Sequence, residues 1–480
     1  MIVKNGEAKA YANSVFQNEI NITSDGHRHL GAVIGSVQFK DQYCNGLVAN
    51  WYSIMVKLVQ ISESYPQAAY AGFRKGFISK MMYFFRTIPD FGKYLDDLQS
   101  LINTDFVTNL FGTACSFDHD FYEQLSLPTS KGGLGLPDLK DLSAFQYVAS
   151  KKITVVHINS LAEQDQILMH KDASGNDLDD LASYLNDLAN GVRKDKRDGL
   201  QTKCDLVISK LSSDLLTLHN QNNDKSASHW LNALPIREQG FNLTKQEFRD
   251  ALRLRYSIPL SGLPSSCVCG DQFDTVHALD CKKGGFINQR HDNIRNLFTA
   301  LLNKVCNNVG SEPHLTPLSG ERFNHLTANQ RKDARLDIKA RGFWRRGQDA
   351  YFDVRVTHVN CRSNSNSDTN KIFDKHEKDK KRLYNQRVME VENGSFTPLV
   401  IGTNGGIGKE CSAFVKQLCC ALSDKQNENY GTVVNWLRTK LSFEILKSAL
   451  LCVRGSRTPW SSTSFNAADD FSLRSYEAGI

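Results

Sequence analysis

The chain has 480 residues, with 58 Lys and Arg against 52 Asp and Glu, a formal net charge of +6, and 40% hydrophobic residues. That length predicts two or three globular domains rather than one core, and so small a net charge announces neither a nucleic acid nor a membrane by itself. No run approaches the roughly 18 uncharged residues of a membrane span, and no apolar signal core follows Met1. Twelve scattered cysteines lack the dense spacing of a disulfide scaffold. A soluble protein in a reducing compartment, nuclear or cytoplasmic, is expected.

In chain order, residues 1–150 read as all-α: amphipathic helices at 46–61, 66–86 and 95–110, broken by Pro89-Asp90-Phe91-Gly92 and closed by the glycine-rich loop at 131–137. Tyr94-Leu-Asp-Asp97 matches a polymerase metal box as a string. Its leucines repeat at helical spacing, however, so it is expected on the exposed flank of a helix. Residues 151–225 are polar and helix-prone, acidic over 165–187, with Gly175 and Gly191 as expected breaks. They form a connector with no assignable chemistry. In the helical segment 226–265, Thr244-Lys-Gln-Glu247 fits a capping box whose helix runs to about Tyr256 and presents Arg249, Arg253 and Arg255 to solvent. A cysteine and histidine cluster occupies 266–295, a helix follows over 288–306, and alternating strands at 334–340 and 350–359 are joined by the short polar connection 341–349. The block 296–455 continues with a basic helix at 371–387, a strand at 396–402 and a helix at 413–422. The glycines at 402–408 lack the ending of a nucleotide loop and read as a strand-to-helix turn. Residues 456–480 form a loose tail.

Asp337 and Asp353, one on each strand of the predicted hairpin, carry the strongest chemical pattern. Two carboxylates brought together repel each other, and a divalent cation such as Mg2+ or Mn2+ removes that repulsion while polarising a phosphodiester. The plainer alternative is two exposed aspartates on the polar face of a half-buried sheet. Arg355 shares the face of Asp353, and Lys380 or Lys381 lies within one turn of Tyr384 on the basic helix. Lys375 and Lys378 read as solvated surface. Cys267-Val-Cys269, His277 and Cys281 suit a closed, tetrahedral, structural zinc site, although the one-residue gap is tighter than usual. Free cysteines beside a surface histidine are the alternative. Arg290-His291-Asp292-Asn293 follows directly, within reach of either a phosphate or the carboxylates, although a histidine at a helix start also serves as a plain polar cap.

Together these motifs resemble the polyproteins of non-LTR retrotransposons, in which a reverse transcriptase precedes a CCHC zinc knuckle and a restriction-like PD-(D/E)XK endonuclease. Gly26-His-Arg-His-Leu-Gly31, the segment around Trp51, Arg86-Thr-Ile-Pro89, and Leu127-Pro128 with Lys131-Gly-Gly-Leu-Gly135 look like the thumb region after the polymerase centre. The polymerase aspartates would then precede Met1, so this chain would not polymerise alone. The resemblance implies an N-terminal all-α thumb and connection region, a small zinc knuckle and a C-terminal α/β restriction-endonuclease-like core. Within that core, Ala334-Arg-Leu-Asp337 and Phe352-Asp353-Val-Arg-Val match the acidic motifs, Glu312 stands where an acidic residue often precedes the hairpin, and Lys381 with Tyr384 match the following helix. Arg290, His291 and Asn293 resemble the motif after the knuckle. Arg335, Arg345 and Arg346 join Arg290 and His291 as expected nucleic-acid contacts. DNA, with element RNA as a further candidate, is the implied partner, and no small-molecule substrate is expected. Two departures stand out. Leu336 replaces a proline, and Arg355 replaces a lysine, which leaves Lys380 or Lys381 to activate water because arginine stays charged. The alternatives are a nucleic-acid-binding remnant without catalysis and a truncated element product.

Overall fold

The computed structural model describes residues 3, 5–17, 19–113, 117–164, 180–224, 226–364 and 368–455, in two compact units, Met1–Ser212 and Ser213–Ile480. The expected tail and part of the acidic stretch, Gly175 included, lie outside the described residues. Among those residues, no helix is long and apolar enough to cross a membrane.

The first unit is mostly helical. Trp51, on the helix Val37–Ser64, packs edge-on or tilted against Phe84, Phe85 and Phe91, with ring centroids 5.5–6.2 Å apart. An antiparallel hairpin, Gly26–His29 with Ala32–Gly35, corrects the all-α expectation. Leu30 and Gly31 both take positive φ at its tip, the geometry of a tight two-residue hairpin turn. Tyr94-Leu-Asp-Asp97 behaves as expected: Leu95 and Leu98 are buried while Asp96, exposed, pairs with Lys140. Gly191 does not break its segment. It lies inside the 30-residue helix Leu181–Lys210, with open space where a Cβ would stand, and about 1 kcal/mol of glycine penalty is small against so many backbone bonds.

The expected connector is divided rather than whole. Residues from Ser213 belong to the second unit, where Gln221 and Asn360 exchange side-chain amide bonds of 2.6 and 3.0 Å and the Asn222 amide donates to the Arg255 carbonyl at 2.8 Å. The capping box at Thr244 and Glu247 is present. Arg255, expected in solvent, is buried and 3.3 Å from the Asn222 side-chain oxygen.

The second unit is built on a mixed four-stranded sheet, β1 Asn307–Ser311, β2 Ile338–Arg341, β3 Asp349–Thr357 and β4 Ser395–Gly402, in that spatial order. The first three run antiparallel, and β3 and β4 run parallel. Five helices matter for the site: α1 Thr275–Asp280, α2 Phe286–Val305, α3 Thr369–Glu390, α4 Lys409–Gln426 and α5 Tyr430–Arg454. A parallel pair needs a crossover, and α3 supplies it. Alternation along β3 divides the packing. Phe352 meets Phe414 of α4, which meets Phe298 of α2, each at 5.0 Å. Tyr351 clusters on the other face with Val388 of α3 and Phe396. The glycines after β4 do form the turn into α4.

One expectation changes here. The first hairpin strand is shorter than 334–340, because residues 334–336 bond instead to the segment before them, Ala334 O accepting from Leu315 and Leu336 N–H donating to Pro313 O. The cysteine cluster packs on the end of the chain's last helix: Cys267, Phe273, Leu279, Cys281 and Phe286 share one apolar cluster with Ala449, Cys452 and Val453 of α5.

Burial pushes His358 and His376 down to about 4, helped at His376 by the nearby Arg355 charge. Each has one ring nitrogen near a threonine hydroxyl, at 3.2 and 3.3 Å, and one with no partner. The unfolded chain therefore binds protons that the folded chain refuses between pH 6.5 and 4, and stability present above pH 6.5 is lost as pH falls through that window. A loss of about 2–3 kcal/mol per histidine is expected at pH 4. Urea midpoints from pH 7.5 to 4 check it, and His376→Gln should flatten the slope.

Candidate active site and metal centre

The site lies where β2 and β3 part. Their last ladder pair is Ile338 with Phe352, so the next position along each strand sets Asp337 across from Asp353, and residues facing each other across antiparallel strands project to the same side. Past that point one edge of β3 has no ladder partner, and Asp337 fills the gap. Its N–H donates to Phe352 O at 3.1 Å, and its carboxylate accepts from Val354 N–H at 2.6 Å. His291, on the first turns of α2, completes the edge, with Nε2 at 3.1 Å from both Asp337 Oδ2 and Val354 O. That carboxylate contact raises the imidazole pKa against the opposing effect of burial.

Asp353 is buried, with Lys380 Nζ 2.6 Å from its Oδ2 as an ion pair outside hydrogen-bond geometry. Burial raises its carboxyl pKa and the Asp337 charge adds to this, while Lys380 and His291 pull the other way. The fold thus gathers four of the expected residues: Asp337, Asp353, Lys380 and His291.

The others stand elsewhere. Lys381 turns to Glu410 at the start of α4, and Tyr384 packs on Phe396 with its hydroxyl 3.3 Å from the Asn329 amide. Arg355 lies two residues past Asp353, its charge felt at His376. Glu312 meets Asp337 through its backbone, N–H to O at 2.8 Å, while its exposed carboxylate pairs with Arg295 and lies 4.0 Å from Arg335. Arg290 is corrected outright. It is buried, its Nη1 bonds to Leu279 O at 3.0 Å, and burial lowers its pKa. A guanidinium so enclosed cannot meet a phosphate. Arg335, Arg345 and Arg346 are exposed. Arg295 was not singled out from sequence, although its spacing of four from His291 was the available signal.

Cys267, Cys269, His277 and Cys281 bring one ligand atom each to within 4.8 Å of one another, a group that can hold a metal such as zinc. The Cys267 and Cys281 sulfurs are 3.7 Å apart, and Cys269 Sγ is 3.3 Å from His277 Nε2. A tetrahedron with zinc–sulfur bonds of 2.3 Å has sulfur–sulfur edges of about 3.8 Å. The donors fit. Gly270, at φ +97°, closes the tight turn after Cys269 with its N–H on Cys267 O, which accommodates the one-residue gap. Asp274 caps α1 by accepting from His277 N–H at 2.6 Å, and Asp271 lies 3.7 Å from the other imidazole nitrogen. A ligand present at 100 times its dissociation constant and bound only by the folded state contributes about 2.7 kcal/mol. Stripping the metal with a chelator is therefore expected to lower the unfolding free energy of the second unit by about 3 kcal/mol or more, read by denaturation beside metal analysis, and Cys281→Ser should mimic it.

No protein-family model matches this chain, and no curated protein matches it. Two shallow grooves of about 360 and 330 Å3 lie along α3, the first also lined by Lys409 and Lys416, and neither includes Asp337 or Asp353.

Proposed function

We propose that the second unit is a metal-dependent DNA endonuclease of retroelement descent, with a restriction-endonuclease-like core, and that the first unit is a reverse transcriptase thumb remnant. The observation that carries the nuclease reading is the buried Asp353, set across from Asp337 with an ammonium 2.6 Å away. Asp337 and Asp353 would hold Mg2+ or Mn2+, which supplies Lewis-acid polarisation of the phosphodiester and a more acidic water. Val354 N–H and His291 fix the rotamer of Asp337. Lys380 steadies the attacked phosphate or the nucleophilic water, a role its pairing supports over Lys381. Arg335, Arg345 and Arg346 reach phosphates of the same strand or its complement. The Cys3His cluster holds structural zinc, and the work is done in the nucleus or cytoplasm. In a full element, a single-strand nick would supply the primer end for copying RNA into DNA.

Supercoiled plasmid incubated with the purified chain and Mg2+ or Mn2+ should become open circles, and EDTA should stop the conversion. Cleavage that survives the double variant Asp337→Ala, Asp353→Ala would falsify the site. One observation favours a second reading, nucleic-acid binding without cleavage: each carboxylate already faces a basic partner, His291 or Lys380. Salt-sensitive binding with no cutting under either metal would establish it.

A further inference from the structure

Adjacent residues at the start of α2 face two different centres. Arg290 closes the end of α1, taking Leu279 O, one of the carbonyls a helix terminus leaves free. That helix carries His277 and leads into Cys281. One residue on, His291 reaches Asp337 and the Val354 carbonyl. We infer that Arg290 is a positioning residue coupling the Cys3His cluster to Asp337, so that an intact metal cluster is a condition for the geometry of the acidic pair. The proposed cleavage gives this coupling its consequence, but the coupling itself stands on these contacts.

The physical case has three parts. First, α1 spans six residues, far below the length at which a helix holds itself. Beside the Asp274 cap and the burial of Ala278 and Leu279, the tying of His277 and Cys281 to a common centre is what fixes its shape. Second, the Arg290 guanidinium is buried, its Nε has no partner, and its Nη1 has Leu279 O and the Cys452 sulfur at 3.9 Å. A cation in that position depends on its carbonyl. When α1 loosens, the guanidinium follows it or moves toward water. Third, the first turn of α2 has no side-chain cap, Gly285 standing at the cap position with φ +72°. The burial of Phe286 anchors the first residue of that turn, and Arg290 is the contact that ties the residues after it to α1; when Arg290 lets go, His291 then leaves Asp337. The Val354 N–H bond to Asp337 is the last link.

Backbone amide exchange on the full zinc-loaded chain tests the coupling. In Arg290→Met, the Val354 amide should exchange at least tenfold faster, while amides of β4 such as Val400 change by less than twofold. Chelation of the wild-type metal should reproduce that pattern. Arg290→Lys, which keeps a donor, should restore part of the protection. Because coupling is reciprocal, His291→Ala should weaken zinc retention in chelator competition while the other cluster contacts stay in place. An equal rise at Val354 and Val400 would assign Arg290 a general stabilising role and overturn the proposal, as would unchanged exchange at Val354. If Arg290→Met does not fold, the lysine variant and the chelation arm decide it. Since no arm reads cleavage, loss of the nuclease reading would leave the result intact, and failure here would leave that reading open.

Discussion

Asp353→Asn should lower the rate of plasmid nicking at saturating Mg2+ by about a thousandfold or more, some 4 kcal/mol of barrier. The asparagine keeps the size of the side chain but removes the charge that, in the proposed nuclease, would draw a cation to the mouth of the β2–β3 fork. Folding should survive, because Lys380 retains 20% side-chain exposure and can turn to water. Paired lysine variants sharpen the test: Lys380→Ala should approach the same loss, whereas Lys381→Ala, whose ammonium belongs to Glu410, should stay within about threefold. The reverse ranking would move the basic role one residue along α3. Because burial raises the Asp353 pKa, protons compete with the cation at higher pH than at an ordinary carboxylate. The wild-type rate should climb as the solution leaves mild acid.

Arg387→Met should produce the largest loss of folding stability among single substitutions away from the metal cluster, about 4 kcal/mol. The guanidinium is completely buried on α3 and donates to three carbonyls, Asn329 O at 2.7 Å, Arg331 O at 3.0 Å and Thr316 O at 3.0 Å. Those carbonyls belong to the long segment between β1 and β2, which carries no helix or ladder strand of its own. One side chain therefore does much of the work that secondary structure does elsewhere, and a methionine of similar length leaves all three acceptors without their donor. Urea titration measures the total. Protease sensitivity should rise first between residues 316 and 331, the approach to Asp337, and a variant that resists both assays would show that the segment holds itself.

Residues whose neighbours lie close in sequence, or repeat with a clear period, were the legible ones. The alternation around Asp353, the capping box at Thr244 and the basic helix announced themselves through local spacing, and the four metal donors through their types. What escaped depended on contacts far along the chain. Arg290 looks like a phosphate ligand until Cys452, 162 residues later, encloses it. α5 has buried residues around much of its circumference, Val433, Trp436, Leu441, Phe443 and Cys452 among them, and so lacks the single stripe by which an amphipathic helix is recognised. The hairpin at Leu30 was hidden by a leucine in a left-handed turn, where glycine or asparagine is the usual signal. Lys380 and Lys381 are adjacent and chemically equal, so only the direction of each side chain from α3 separates them.

The place of α5 has a bearing on how the protein is made. Its last turns cover the cysteine cluster, and Arg454 clasps Asp250 with bonds of 2.7 and 2.8 Å. A ribosome working at 5–20 residues per second needs roughly 10–30 s to travel from Cys281 to Arg454. Throughout that interval the thiols have emerged while the helix that shields them has not. The nascent polypeptide exposes these thiols more than the finished one, whose Cys267 and Cys281 are buried.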